Sequence, residues 1–219
     1  MNPLLKKVTL AVTISCALSS TAFAGASANI GVMSDYVWRG MTQNGDDAAL
    51  TGGFDYGMDN GLYVGTWAAN VDNDGDGVEV DFYAGFAKEL AGGFGYDIGA
   101  IAYVYPNATD LDFTEVYLNA TYGPVEIGVA NTVSADNSSL EGDVYTHLTL
   151  SKDMGPFGVS ATAGNYDFDA GGDQQNYLLE ASYEIPNGFG ELTGAIDWLS
   201  TNDDDDSRVG LTWSKEFEF

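Results

Sequence analysis

Two kinds of link join the β-like segments of this chain, and they alternate. Tight links fall at Asp59-Asn60-Gly61, Gly123-Pro124, Asp153-Met154-Gly155-Pro156 and Pro186-Asn187-Gly188. Longer, acidic links lie between them, at 41–47, 72–77, 106–112, 134–142, 167–173 and 201–207. In an up-and-down barrel every second link lies at the same end. One end is therefore trim and the other is crowded with carboxylates. Short turns at one end and longer loops at the other is the pattern of bacterial outer-membrane barrels.

Period-two alternation runs along nearly all of residues 25–219. A first strand is expected to set Ile30, Val32, Tyr36 and Trp38 on one face, against Asn29, Asp35 and Arg39. Later strands set Val78, Val80, Phe82 and Phe86 against Glu79, Asp81 and Tyr83, and Val116, Leu118 and Tyr122 against Glu115 and Asn119. Near the end, Leu192, Ile196 and Trp198 oppose Glu191 and Asp197. Only 61–71 is blurred, because Leu62 and Val64 interrupt a face carrying Tyr63 and Trp67. The count is about twelve strands of about nine to twelve residues, the length of a tilted membrane strand. A slip of one residue would turn the acids toward lipid, so the pattern also fixes register.

A soluble sandwich alternates too, but three details favour a membrane barrel. Aromatics cluster near strand ends on the apolar parity (Tyr36/Trp38, Phe54/Tyr56, Trp67, Phe94/Tyr96, Trp198, Phe217/Phe219), as interfacial girdles do. The polar parity is rich in Gly, Ser, Thr and acids, which suits a lumen. Trp213, Phe217 and Phe219 close the chain in step, the kind of final strand that barrel-assembly machinery reads. Lys215 shares the apolar parity, where it can snorkel to the interface.

The N-terminus reads as an export signal over 1–24: Lys6 and Lys7, an apolar run over 8–18, and an Ala22-Phe23-Ala24 cleavage site. Cys16, the only cysteine, leaves with it, because 13–15 lacks the Leu of a lipoprotein signal. The formal charge of −26 comes from 33 acids against 7 bases, and two of those bases are in the signal. Such a chain repels nucleic-acid phosphates. Its 45% hydrophobic content and 13 Tyr are too rich for a disordered tail. No later run has the roughly 20 apolar residues of a membrane helix. The expected protein is an all-β, transmembrane antiparallel barrel over 25–219, in the outer membrane of a Gram-negative bacterium.

Ser34-Asp35-Tyr36-Val37-Trp38-Arg39-Gly40-Met41-Thr42-Gln43 and Gly61-Leu62-Tyr63-Val64-Gly65-Thr66-Trp67 resemble the TorF-type predicted-porin family of proteobacteria. Glu79-Val80-Asp81-Phe82-Tyr83-Ala84-Gly85-Phe86 and Glu115-Val116-Tyr117-Leu118-Asn119 continue the likeness. The resemblance implies an exported β-barrel with no settled substrate, and it supplies no catalytic residues.

Glu79, Asp81, Asp97, Glu115, Glu126, Glu180, Glu184, Glu191 and Asp197, with Arg39, are the expected lining of a pore. Rings of acids of this kind favour cations. Asp72, Asp74, Asp76 and Gly77 match positions 1, 3, 5 and 6 of an EF-hand, but Tyr83 stands where a bidentate Glu belongs and a strand follows. A solvated acidic loop is the simpler reading, with divalent cations its candidate ligands. Asp203, Asp204, Asp205 and Asp206 form a second acidic cluster, able to gather cations or to bridge through divalent ions to lipopolysaccharide phosphates. His147, the sole histidine, has no G-x-S-x-G elbow to serve, so an enzyme is not expected and no cofactor is implied. The expected function is passive passage of small solutes, favouring cations. The alternative is a closed structural or adhesion barrel whose outer loops bind ions, lipopolysaccharide or a partner.

Overall fold

The computed structural model describes residues 25–72, 77–201 and 205–219. The expected signal segment with Cys16, the loop acids Asp74 and Asp76, and Asp203 and Asp204 lie outside the described residues. Twelve strands form the wall: β1 (Gly25–Met33), β2 (Ala49–Gly57), β3 (Leu62–Ala69), β4 (Glu79–Leu90), β5 (Phe94–Val104) and β6 (Phe113–Tyr122), then β7 (Val125–Ala135), β8 (Val144–Met154), β9 (Phe157–Asp167), β10 (Asp173–Glu184), β11 (Glu191–Thr201) and β12 (Asp205–Glu218). Each pairs antiparallel with its neighbours in the chain, and β1 pairs with β12 to close the barrel. The Phe219 amide donates to the Ala26 carbonyl at 2.9 Å, so both ends of the wall meet at the short-turn rim.

The alternation is inside out relative to a soluble protein. Phe82 and Ile98 are 55% and 52% exposed, while their inward neighbours Asp81 and Asp97 are 1% and 6% exposed. Exposed Leu50, Phe54, Val116, Leu118, Ile127, Leu148, Leu179 and Leu211 extend that apolar surface around the barrel. An apolar surface of this extent needs lipid to cover it. Lys88, Lys152 and Lys215, the lysines of the described residues, share the outward parity and sit toward the short-turn end. The Lys215 ammonium lies 5.0 Å from the Phe217 ring centroid, with its charge carried to the rim.

Glycines let lumen tyrosines lie flat against the wall. Tyr63 faces Gly85 across β3 and β4, and Tyr117 faces Gly99 across β5 and β6. A Cβ at Gly99 would stand 2.4 Å from the Tyr117 hydroxyl and 2.7 Å from the Ala84 carbonyl oxygen. The two tyrosine hydroxyls contact one another, and Tyr63 donates to Asp97 at 2.7 Å. Gly99→Val should displace Tyr117 and break this network. Its expected cost is about 1–3 kcal/mol, the usual cost of overpacking, seen as a lowered urea midpoint with an altered near-UV spectrum.

Three expectations are corrected. The first strand does not continue through Arg39: β1 stops at Met33, Ser34 still bonds Leu211 on β12, and residues 35–48 leave the wall. Ser34 already broke the alternation by standing on the lipid parity. Tyr36, Trp38 and Trp67 are not girdle residues, since they are 1%, 9% and 8% exposed and point into the barrel. The last acidic cluster is not all loop, because β12 begins at Asp205 and the pairing Ser200↔Asp205 carries the hairpin beyond the expected rim.

Candidate functional site

Residues 35–48 fold down into the lumen as a small hairpin. Val37–Trp38 pairs with Met41–Thr42, which leaves Arg39 and Gly40 as a two-residue turn. Their φ values are 51° and 86°, and positive φ at both central positions is what a type I′ turn requires. Asn or Gly ordinarily fills the first of these positions. Arginine there costs on the order of 1–2 kcal/mol, so something must hold it. The Tyr36 amide donates to Asn44 Oδ1 at 3.1 Å and the Gln43 amide donates to the Tyr36 carbonyl at 2.7 Å, bracing the hairpin base.

What holds Arg39 is the opposite wall. Its Nη1 and Nη2 each donate to a carboxylate oxygen of Glu115 on β6, both at 2.7 Å, with the two residues 8% and 2% exposed. The guanidinium carbon lies 4.2 Å from the ring centroids of Trp38 and Tyr145 and 5.2 Å from that of Tyr166. Tyr103 donates to Glu115 at 3.3 Å. A bidentate, charge-assisted pair is among the strongest polar contacts available, and aromatic faces add attraction for the cation. Burial opposes the charge on Arg39, but Glu115 more than offsets it and its pKa is raised.

The hairpin reaches other walls as well. Tyr36 donates to Glu79 Oε1 at 2.7 Å and packs edge-on against Trp67 at 5.4 Å, while Tyr105 donates to the other Glu79 oxygen at 2.5 Å. Burial first, and then Glu79, keep the Tyr36 phenol far above its ordinary pKa, so it remains a donor. A Cβ on Gly40 would stand 2.8 Å from a Leu199 methyl and 2.9 Å from Asn176 Cβ, which puts the turn against β10 and β11. Arg208 on β12 donates to the Gly40 carbonyl at 3.0 Å and to Asp46 at 2.9 Å, and it also pairs with Asp206. The loop thus crosses the lumen from β3–β6 to β10–β12. Beside Arg39, toward the short-turn end, lies a cavity of about 20 Å³ bordered by Tyr117, Asn119, Ala130 and His147. That is room for about one water.

Asp35 sits at the hairpin base, accepting from Thr42 at 2.7 Å with Arg208 at 3.7 Å. Burial is the largest influence on it and raises its pKa above 3.8, Asp46 and Asp206 adding to the rise while Thr42 and Arg208 oppose it. The folded chain then holds more protons than the unfolded chain just above pH 3.8. This contribution to stability is present at low pH and lost as pH rises through that window. Asp35→Asn should raise the thermal midpoint at neutral pH, with the gain shrinking toward zero as the pH falls to 3.8.

Of the expected lining, Glu79, Asp81, Asp97, Glu115, Glu126, Glu180, Glu191 and Asp197 face inward, and Glu184 is exposed at the short-turn end. Arg39 joins them from the loop rather than from a strand. Glu126 meets His147 at 3.2 Å, and Glu180 accepts from Ser160 at 2.8 Å. Neither oxygen of Asp81 has a hydrogen-bond partner among the described residues. No group of three metal-ligating side chains forms among them either, and Asp72 stands at the edge of its loop. The tyrosines at 36, 103, 145 and 166 were missing from the expected site. Only the Arg39-Gly40 dipeptide between Trp38 and Met41 signalled the turn.

A family model described as "bacterial protein of unknown function (Gcw_chp)" matches residues 18–208. The chain belongs to the Gcw_chp family. No curated protein matches it by sequence. Among solved structures, this Gcw_chp barrel superposes on the KdgM porin with a TM-score of 0.58 at 6% identity, over 88% of this chain and 99% of that one. A second structure, "KdgM porin in complex with disordered oligogalacturonate", gives 0.56 at 5% identity, over 89% and 99%. The outer-membrane protein OprD from Pseudomonas aeruginosa gives 0.45 at 14% identity, over 90% of this chain and 66% of that one. The KdgM likenesses establish a shared fold, a closed twelve-stranded porin-type barrel.

Proposed function

We propose that this protein is an outer-membrane channel for small solutes that favours cations, with its lumen stoppered by the first outer loop. The observation that carries the reading is the charge of the inward face. Eight carboxylates of the expected lining, joined by Asp55 on β2, point into the lumen, while the lysines of the described residues all point outward. Asp81 is buried, and neither of its oxygens is committed to a hydrogen bond among the described residues, which marks it as the lining carboxylate to test first. The TorF-type resemblance and the porin-type fold support the same reading, and the apolar outer surface supports a place in the outer membrane of a Gram-negative cell. The shared fold does not bring a shared cargo. An oligogalacturonate is a chain of carboxylated sugars, and this lumen would repel it.

Conductance of the refolded barrel in planar bilayers, with reversal potentials across a KCl gradient, tests the reading. Cation-selective steps that lose selectivity in Glu79→Gln and Asp81→Asn are expected. One observation favours a second reading, a closed barrel acting through its outer loops: the hairpin fills the lumen at the level of Arg39. A correctly folded, heat-modifiable barrel without conductance, even after the hairpin is replaced by a short Gly-Ser turn, would leave that reading standing. Lipopolysaccharide or divalent ions on the loop acids would then be the ligands to test.

A further inference from the structure

The cage around Arg39 belongs mostly to the wall. Glu115, Tyr103, Tyr145 and Tyr166 come from β6, β5, β8 and β9, and only Trp38 arrives with the hairpin. We propose that this cage is a binding site for a small solute bearing a guanidinium group, and that Arg39 is its tethered occupant, displaced when such a solute enters. The solute's passage rests on the channel reading above; its binding does not.

The geometry selects the chemistry. Glu115 offers both oxygens to two nitrogens of one planar fork, and Tyr145 and Tyr166 lie within stacking range of its carbon. An ammonium ion is a point charge without that fork. The positive φ of Arg39 shows that the backbone is bent into an unfavourable region to deliver the group, a cost that a free solute does not carry. The cavity toward His147 and Asn119 lies where a substituent on the guanidinium could extend. A tethered occupant acts at an effective concentration of about millimolar, so the solute competes on even terms only when it is abundant.

Chemical rescue tests this. Arg39→Ala vacates the cage, and methylguanidinium is the probe, with tetramethylammonium as a non-planar control. The expected result is a saturable rise in the thermal midpoint of R39A with methylguanidinium. Apparent affinity should be weaker by roughly tenfold or more in R39A/E115Q, where about 1.4 kcal/mol corresponds to each factor of ten. Equal responses in R39A and R39A/E115Q, or an equal response to tetramethylammonium, would overturn the assignment. If R39A alone does not fold, methylguanidinium is added during refolding. Recovery with Glu115 intact and not with E115Q supports the cage, and no recovery overturns it. Conductance recorded on the same samples, and on the barrel whose hairpin is replaced by a Gly-Ser turn, separates the two readings. Binding without current removes the channel and keeps the cage, whereas current without saturable binding does the reverse.

Discussion

Glu115→Gln should open the stopper while leaving the wall closed. The substitution keeps shape and a hydrogen-bonding oxygen but leaves the Arg39 guanidinium buried without its counter-charge. Breaking one side of a buried ion pair costs about 3–5 kcal/mol. Here most of that cost falls on the seated hairpin, because the wall contact of the Glu115 side chain, acceptance from Tyr103 at 3.3 Å, is one that the Gln oxygen can keep. The unfavourable φ of Arg39 adds to the drive outward. Larger single-channel steps are expected, together with tryptic cleavage after Arg39, whose peptide bond is protected in the parent protein. A barrel with unchanged conductance and an uncut hairpin would show that the ion pair does not close the lumen.

Leu118→Arg should be the most damaging change on the outer surface. Leu118 lies mid-strand on β6, with Ile98 and Val129 directly opposite on β5 and β7. All three face outward, so arginine there must enter hydrocarbon. Near the bilayer midplane this costs about 2–4 kcal/mol, and no rim is within easy snorkelling reach. The control is Ser182→Arg on the inward parity of β10, half-buried in the lumen. Its cost should be much smaller, because water and carboxylates receive the charge. Urea unfolding in lipid vesicles gives the comparison directly. Equal losses at the two positions would sink the assignment of faces, and with it the membrane reading.

The wall was legible because a barrel strand repeats every two residues and each face meets one solvent. Phe82 beside Asp81 and Ile98 beside Asp97 can be assigned from adjacency alone. The stopper was hidden because alternation reports the period of a segment and not which wall it belongs to. Tyr36 and Trp38 keep step with Ile30 and Val32, so they read as girdle residues. In the structure they fill the lumen, where a phenol reaches Glu79 and an indole covers Arg39. Trp67 was misplaced for a related reason. It shares a parity with Tyr63, and both serve the interior, whereas the smaller Leu62 and Val64 face lipid. Ring size marks burial on either side of a barrel wall, and it does not say which side.

Residues 34 and 48 hang from β1 and β2, strands already paired to each other from Gly25↔Gly57 to Met33↔Ala49. Swinging residues 35–48 outward therefore breaks no rung between these strands, while Ser34 stays bonded to Leu211 on β12. The molecule has two separable free energies: a global one for the barrel, and a local one set by about fifteen residues and a handful of contacts. Hydrogen exchange should divide the amides accordingly, with those of 35–48 exchanging through a shallow, salt-sensitive opening and the strand amides only through complete unfolding. A scaffold of this kind can change its threshold for opening by substitution within a single loop, without renegotiating the stability of the shell around it.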